Sequence, residues 1–309
     1  MKEKFVKGPG VLRLAHLSDI HFGHITLSPS QFLSKRWLGN LNLLLHRRYI
    51  YQYDAVYQLP LLLREYDVDL VCISGDLTTT ALEQEYSIAA EFVRMLEAEG
   101  MTVLLIPGNH DHYTREAFKS KLFYQYFHIP QNKIDASLPH YSLKEDRICC
   151  TQLNEIWWWI GLDTTLSTPL LSAFGLFSDE LAERLHAVLE AIPDQAHVVV
   201  ANHYPIISHA PKSRQLRNSE KLEKVLLEHP QVKIYLHGHE HQHRIIDCRN
   251  QHRFYQLNSG SCSHDTQGAF HLVDLMPHQC RALVFRWKKL SENESKEWMP
   301  FHQVDLPWR

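Results

Sequence analysis

The 309-residue sequence predicts an α/β protein in which helices cover the faces of packed sheets. Three observations predict it. Short apolar runs of strand length recur along the chain, rich in Val, Ile and Leu. Helical periodicity fills the stretches between some of them, and five of the runs end in a polar cluster. In chain order, "VLRLAHLSD" runs into Asp19 and "VDLVCISGD" into Asp76. "TALEQEYSIAAEFVRMLEAEG" then reads as a helix, with Thr80 and Glu83 in capping-box spacing at its start and Gly100 at its end. "MTVLLIPGNHD" runs into Asn109. "SDELAERLHAVLEAI" is a second helix, opened by Ser178 with Glu180 and Glu183 in its first turns. "HVVVANH" ends at His203 and "VKIYLHGH" at His239. After Gly260 the pattern becomes β-like in "AFHLVDLM" and "CRALVFRWK", followed by a polar tail with scattered aromatics. Two stretches break the alternation: an insert over about residues 24–58, and the aromatic, irregular "KSKLFYQYFHIPQNKI". No repeat or low-complexity tract divides the chain, so residues 1–309 read as one domain carrying the insert.

Hydrophobic content of 44% and charged content of 22% are those of a folded globular chain. Lys plus Arg is 32 and Asp plus Glu is 35, a net charge of −3, and the pI is near 6.7. That balance excludes a binder of long nucleic acid that works through a broad basic surface. None of the six cysteines forms a Cys-x-x-Cys pair, which implies reduced thiols and a cytosolic setting. The N-terminal stretch lacks the apolar core of a signal peptide, and no apolar run reaches the roughly 18 residues of a spanning helix.

The polar residues closing the runs are Asp19 and His21, Asp76, Asn109 and His110, His203, and His239 and His241. Residues that close successive buried strands gather at one sheet edge, where sites in open α/β sheets form. Any one of them could merely cap a strand; five strand ends carrying ligand types together call for a shared cause. Two carboxylates, an amide oxygen and several imidazoles, with no thiolate, suit manganese first and iron or zinc next. So many nitrogens argue against calcium. Seven candidate ligands suggest two divalent ions with a bridging carboxylate. In "HGHEHQHR" a histidine stands at every second position, so His237, His239, His241 and His243 could share a face. Gly75, Gly108 and Gly238, each beside a candidate ligand, fit tight turns.

"SDIHFG", "SGDLT", "PGNHD", "NHYP" and "HGHEH", with the later "LNSGSC", resemble in order the signature blocks of the calcineurin-like metallophosphoesterases over roughly residues 14–262. The resemblance implies a β-sandwich of two mixed sheets flanked by helices, with two metals at one edge. By matching position, Asp19, His21 and His241 would hold one metal and Asn109, His203 and His239 the other. Asp76 would bridge them. His110 would be the catalytic histidine and Asp111 its orienting carboxylate, with His110 either a proton donor or a charge stabiliser. His237 and His243 match no role. His112, His209 and His264 lie beside motif blocks, and the last two are surface residues unless they approach the pocket.

The insert "SPSQFLSKRWLGNLNLLLHRRYIYQYD" repeats apolar residues at helical spacing, including Trp37, Leu41 and Leu44, with Arg47 and Arg48 among the basic residues at its ends. This is the pattern of an interfacial helix over the site, touching acyl chains or anionic lipid, or of a core-packed helix with solvated arginines. With the signature blocks, the insert resembles the diverged UDP-2,3-diacylglucosamine pyrophosphatases of lipid A synthesis. That resemblance implies a nucleotide-lipid substrate and a peripheral place on the cytoplasmic face of an anionic inner membrane. The better-known form of that activity carries Arg where this chain has His110. The alternatives are a phosphodiesterase of cyclic nucleotides or other small diesters, and a metal-stabilised binding module.

Overall fold

The computed structural model describes residues 5–24, 50–128, 139–169, 171–289 and 295–308. Two six-stranded sheets dominate it, beside a short parallel pair of β6 (Gly175–Leu176) and β8 (Leu216–Arg217). The first runs β14 (Glu297–Pro307), β13 (Gln279–Lys288), β12 (Ala269–Leu275), β1 (Leu12–Leu17), β2 (Leu70–Ile73) and β3 (Thr102–Leu105). The second runs β10 (Arg244–Asp247), β11 (Tyr255–Asn258), β9 (Val232–His237), β7 (His197–Ala201), β5 (Trp157–Leu162) and β4 (Ile148–Gln152). Both are mixed: β1, β2 and β3 are parallel to one another, as are β5, β7, β9 and β11, while the outer strands are antiparallel.

Strand periodicity explains the layering. Along β5, Trp157 and Trp159 point into the core shared by the two sheets, beside Val199, Ile234 and Leu104. Trp158, Ile160 and Leu162 point the other way, onto helices α1 (Asp179–Ala191) and α2 (Ser219–Glu228), through Leu185, Val188, Leu222 and Leu226. The central strands of the second sheet are therefore buried on both faces, which is why β5 and β7 read as apolar runs.

Three details depart from the sequence reading. The helix expected from Thr80 begins at Glu83, and the carboxylate reaching back to main-chain N–H groups of Thr80 and Leu82 is that of Glu85. Ser178 does cap α1, its Oγ accepting from the Leu181 amide. The hairpin β4–β5, unassigned from sequence, forms the far side of the second sheet, and the expected polar tail is strand β14, paired along β13. The insert residues Trp37, Leu41, Leu44, Arg47 and Arg48 lie outside the described residues.

Arg13, inside an apolar run, is buried and stands directly across from Asp274 on β12. Its Nε and Nη2 donate to the two Asp274 oxygens at 2.6 and 3.0 Å, and Nη1 donates to the Tyr66 carbonyl at 2.6 Å. Arg281 on β13 adds a bond of 2.7 Å to the same carboxylate. Removing one member of a buried pair strands its partner's charge. Asp274→Ala should cost about 3–5 kcal/mol in denaturant unfolding, and the double change Arg13→Met, Asp274→Leu should recover most of it. A double variant no more stable than Asp274→Ala would refute this account.

Candidate metal centre

All seven proposed ligands follow the C-terminal ends of parallel strands. Asp19 and His21 follow β1, Asp76 follows β2, Asn109 follows β3, His203 follows β7, and His239 and His241 follow β9. The sandwich brings these ends together at one edge. Ligand atoms of Asp19, His21, Asp76 and His241 lie within 4.8 Å of one another. His21 Nε2 is 2.9 Å from His241 Nε2, and His241 Nε2 is 3.2 Å from Asp19 Oδ1. Beside them, His203 Nε2 lies 3.4 Å from Asp76 Oδ2 and 3.2 Å from Asn109 Oδ1. Asp76 thus touches both groups. His239 joins through ring contact with His203, centroids 5.1 Å apart.

Main-chain oxygens set the tautomers. His203 Nδ1–H donates to the Ser74 carbonyl at 2.8 Å, and His21 Nδ1–H to the Thr78 carbonyl at 3.4 Å. Both rings therefore present Nε2 to the centre. His239 is reversed: its Nε2–H donates to the Arg214 carbonyl at 2.7 Å, leaving the lone pair of the neutral ring on Nδ1.

The backbone is strained to achieve this. Asp19, His21, Asp76, His239 and His241 all have positive φ, between 52° and 70°. A non-glycine residue there costs on the order of 1 kcal/mol, and such outliers persist where the surroundings over-determine them. The neighbouring glycines are needed for space. A Cβ on Gly238 would lie 1.8 Å from Ser18 Oγ and 2.3 Å from Asp19 Oδ2, and one on Gly108 would lie 2.2 Å from Asp76 Oδ1.

The electrostatics ask for positive charge. Asp19 and Asp76 are buried, and among the described residues neither is ion-paired to Lys or Arg. Burial alone would raise both, yet the imidazoles, His241 for Asp19 and His203 for Asp76, hold them below the ordinary carboxylate range. Burial would lower His203, but the Asp76 charge outweighs it and lifts His203 to about 9. Burial, then the charge of His203, pushes His239 down to about 3. Convergent carboxylates and imidazoles with few cations among them fit a divalent metal. A cavity of about 460 Å³ opens above this floor, lined by Asp76, Asn109, His110, His239 and His241 among others.

The sequence profile described as calcineurin-like phosphoesterase matches residues 12–243, well over half of the chain. The chain belongs to the calcineurin-like phosphoesterase family. It is 29% identical over 181 residues to a protein named probable glycerophosphodiester phosphodiesterase GpdQ from Arcobacter nitrofigilis. That match spans 56% of this chain and 57% of the relative, a little over half its length. The fold resembles a dimetal phosphatase from Danio rerio, with TM-score 0.65, 14% identity, and coverage of 97% of this chain and 99% of the other. It also resembles purple acid phosphatase PPD1 from yellow lupin, with TM-score 0.55, 13% identity, and coverage of 94% and 53%.

Within this family member, one expected role changes. Asp111 does not orient His110. Its two oxygens are taken by the amides of Gly108, Leu77 and Thr78 and the Thr78 hydroxyl, tying two motif loops together. His110 Nδ1–H instead donates to the Thr79 carbonyl at 2.6 Å, its amide bonds Asp76 Oδ1 at 2.7 Å, and its ring stacks on Tyr113. Supports that the motifs did not flag include Ser261 Oγ, donating to the Asp19 carbonyl at 2.6 Å, and Tyr53, whose hydroxyl donates to the His21 carbonyl at 3.0 Å. Only the "LNSGSC" block hinted at the first. His237 is buried against its own turn, and His243 Nδ1 accepts from Arg286 at 3.2 Å. His112 is buried on Thr165, His209 lines the cavity, and His264 caps a turn at Thr266.

Because Asp76 touches both groups, Asp76→Ala should lose nearly all bound metal. Asn109→Ala should keep about one of two equivalents. Elemental analysis of purified, folded protein checks this, and full metal content in Asp76→Ala would contradict the shared position.

Proposed function

We propose that this phosphoesterase is a two-metal enzyme that hydrolyses the pyrophosphate bond of UDP-2,3-diacylglucosamine, giving 2,3-diacylglucosamine 1-phosphate and UMP. The observation that carries the chemistry is the convergence of buried carboxylates and imidazoles on the floor of an open cavity. Asp19, His21 and His241 would hold one ion, Asn109, His203 and His239 the other, and Asp76 both. Manganese is the ion proposed first, with iron and zinc next. When bound, such ions supply Lewis acidity and a nucleophile at neutral pH. The protein's own part is positional. Asp111 locks the two motif loops, and the Thr79 carbonyl fixes His110 so that Nε2, not Nδ1, is the nitrogen able to serve substrate. A sugar-phosphate leaving group departs without much acid help, so His110 acts mainly as a positive charge beside it.

The lipid side of the proposal rests on the basic amphipathic insert that follows the first ligand pair. Through it the protein would rest on an anionic inner-membrane surface on the cytoplasmic side. No helix of the described residues is long and apolar enough to cross a membrane. A second reading, hydrolysis of glycerophosphodiesters, is favoured by the name of the relative from Arcobacter nitrofigilis.

With Mn²⁺, the purified protein should release UMP from UDP-2,3-diacylglucosamine. Release of glycerol 3-phosphate from a glycerophosphodiester, without UMP, would move the assignment to the second reading. Absence of any metal-dependent turnover would leave a binding module. His110→Ala should lower kcat by about 10²–10⁴, with His110→Arg retaining more. Equal loss in two folded, metal-loaded variants would make His110 an obligatory proton donor. Changing Trp37, Leu41 and Leu44 together to Ser should depress turnover of the lipid far more than that of bis-p-nitrophenyl phosphate, with little change in Tm. A parallel fall in all three would make the insert part of the core.

A further inference from the structure

The cavity has a wall that the metal-binding motifs do not explain. Beyond the candidate ligands and His110, its charged lining residues are Arg214, Glu240 and Arg244. Arg214 closes a short turn, Lys212–Arg214, whose loop is braced by Gln215 Nε2 donating to the Ala210 carbonyl at 2.6 Å and by the Ala173 amide donating to the Ser213 carbonyl at 2.8 Å. Its own carbonyl holds His239 at 2.7 Å. The guanidinium therefore hangs from a backbone fixed to the metal centre. Arg244 opens β10, and its Nη2 donates to the neutral Gln242 Oε1 at 3.1 Å.

Neither arginine has a carboxylate partner among the described residues. Seven of the other eleven described arginines do: Arg13, Arg64, Arg94, Arg147, Arg184, Arg249 and Arg281 are ion-paired at 2.5 to 3.1 Å. Glu240, the one carboxylate of this wall, accepts from Ser208 Oγ at 2.7 Å and is ion-paired to neither arginine. The wall thus offers two guanidinium forks against one acid.

We propose that Arg214 and Arg244 form an anion subsite beside the metal centre, and that the substrate carries a second negative group next to the phosphorus under attack. A pyrophosphate-linked diester is the class that fits. Each planar fork suits the oxygens of a phosphate bidentately. A diester with one charge leaves both arginines without a partner, and one ending in a quaternary ammonium sets like charges together. The inference rests on the phosphoesterase reading above and decides between its two substrate classes.

The test uses the full chain loaded with Mn²⁺ and three p-nitrophenyl esters: of UDP, of phosphorylcholine, and bis-p-nitrophenyl phosphate. Nitrophenolate and UMP are both followed. The UDP ester should have the highest kcat/KM. In Arg214→Gln and in Arg244→Gln its preference over bis-p-nitrophenyl phosphate should fall about tenfold, through KM rather than kcat, the size expected for losing a hydrogen bond to a charged group. Lys at either position should restore part of that preference, and metal content should stay that of the unaltered protein. Preference of the unaltered protein for the choline ester would overturn the subsite, as would variants that lose all three activities in proportion or keep the preference intact. If the unaltered protein hydrolyses none of the three, the phosphoesterase reading itself fails, which is a different result.

Discussion

Two carboxylates with almost no access to water govern the structure. Asp19 and Asp76 lie at the joint edge of the two sheets, and burying such charges costs several kcal/mol each unless positive charge meets them. The protein gathers imidazoles from both sheets around them, and main-chain carbonyls hold Nδ1 of His21 and His203 so that Nε2 faces the carboxylates. The sandwich matters because only facing sheets can present β1, β2 and β3 on one side and β7 and β9 on the other to a single point. The left-handed residues and the glycines without room for a Cβ follow from the same demand, since the turns must bring carboxylates and rings into contact.

The sequence made the centre legible because ligand chemistry needs particular residue types at strand ends, and those types survive as short motifs. Asp19, His21, Asp76, Asn109, His203, His239 and His241 could each be placed from such a block. The five apolar runs were readable for a related reason, since strands buried on both faces carry few polar residues to blur them. What stayed hidden depends on partners distant in sequence. Nothing in the run around Arg13 points to its partner Asp274, 261 positions away. The carbonyl of Arg214 that turns His239 belongs to a loop without periodicity, and a main-chain oxygen leaves no mark in composition. β14 reads as a polar tail because an edge strand needs only occasional apolar contacts. Position alone gave Asp111 a role that its saturated oxygens assign to Thr79.

The strain is concentrated where the chemistry would be. Among the described residues, five of the twelve non-glycine residues with positive φ belong to the candidate ligand set. Functional sites commonly store strain that the rest of the fold must offset. Trp157, Trp159 and Phe270 are among the large, fully buried side chains available to supply it.

The sheet order also bears on how the chain is made. β1 sits at the centre of the first sheet between β2 and β12, and Arg13 on β1 is neutralised by a residue of β12. During synthesis, β1, β2 and β3 emerge early with the β1 edge open and a buried-type arginine lacking its counter-ion. That edge stays open until more than 160 further residues, from Leu105 to Ala269, have been added. Exposed edges and unpaired charge of this kind invite misassociation of nascent chains. The protein is therefore expected to acquire its native first sheet late, when its C-terminal strands arrive, rather than domain-front first.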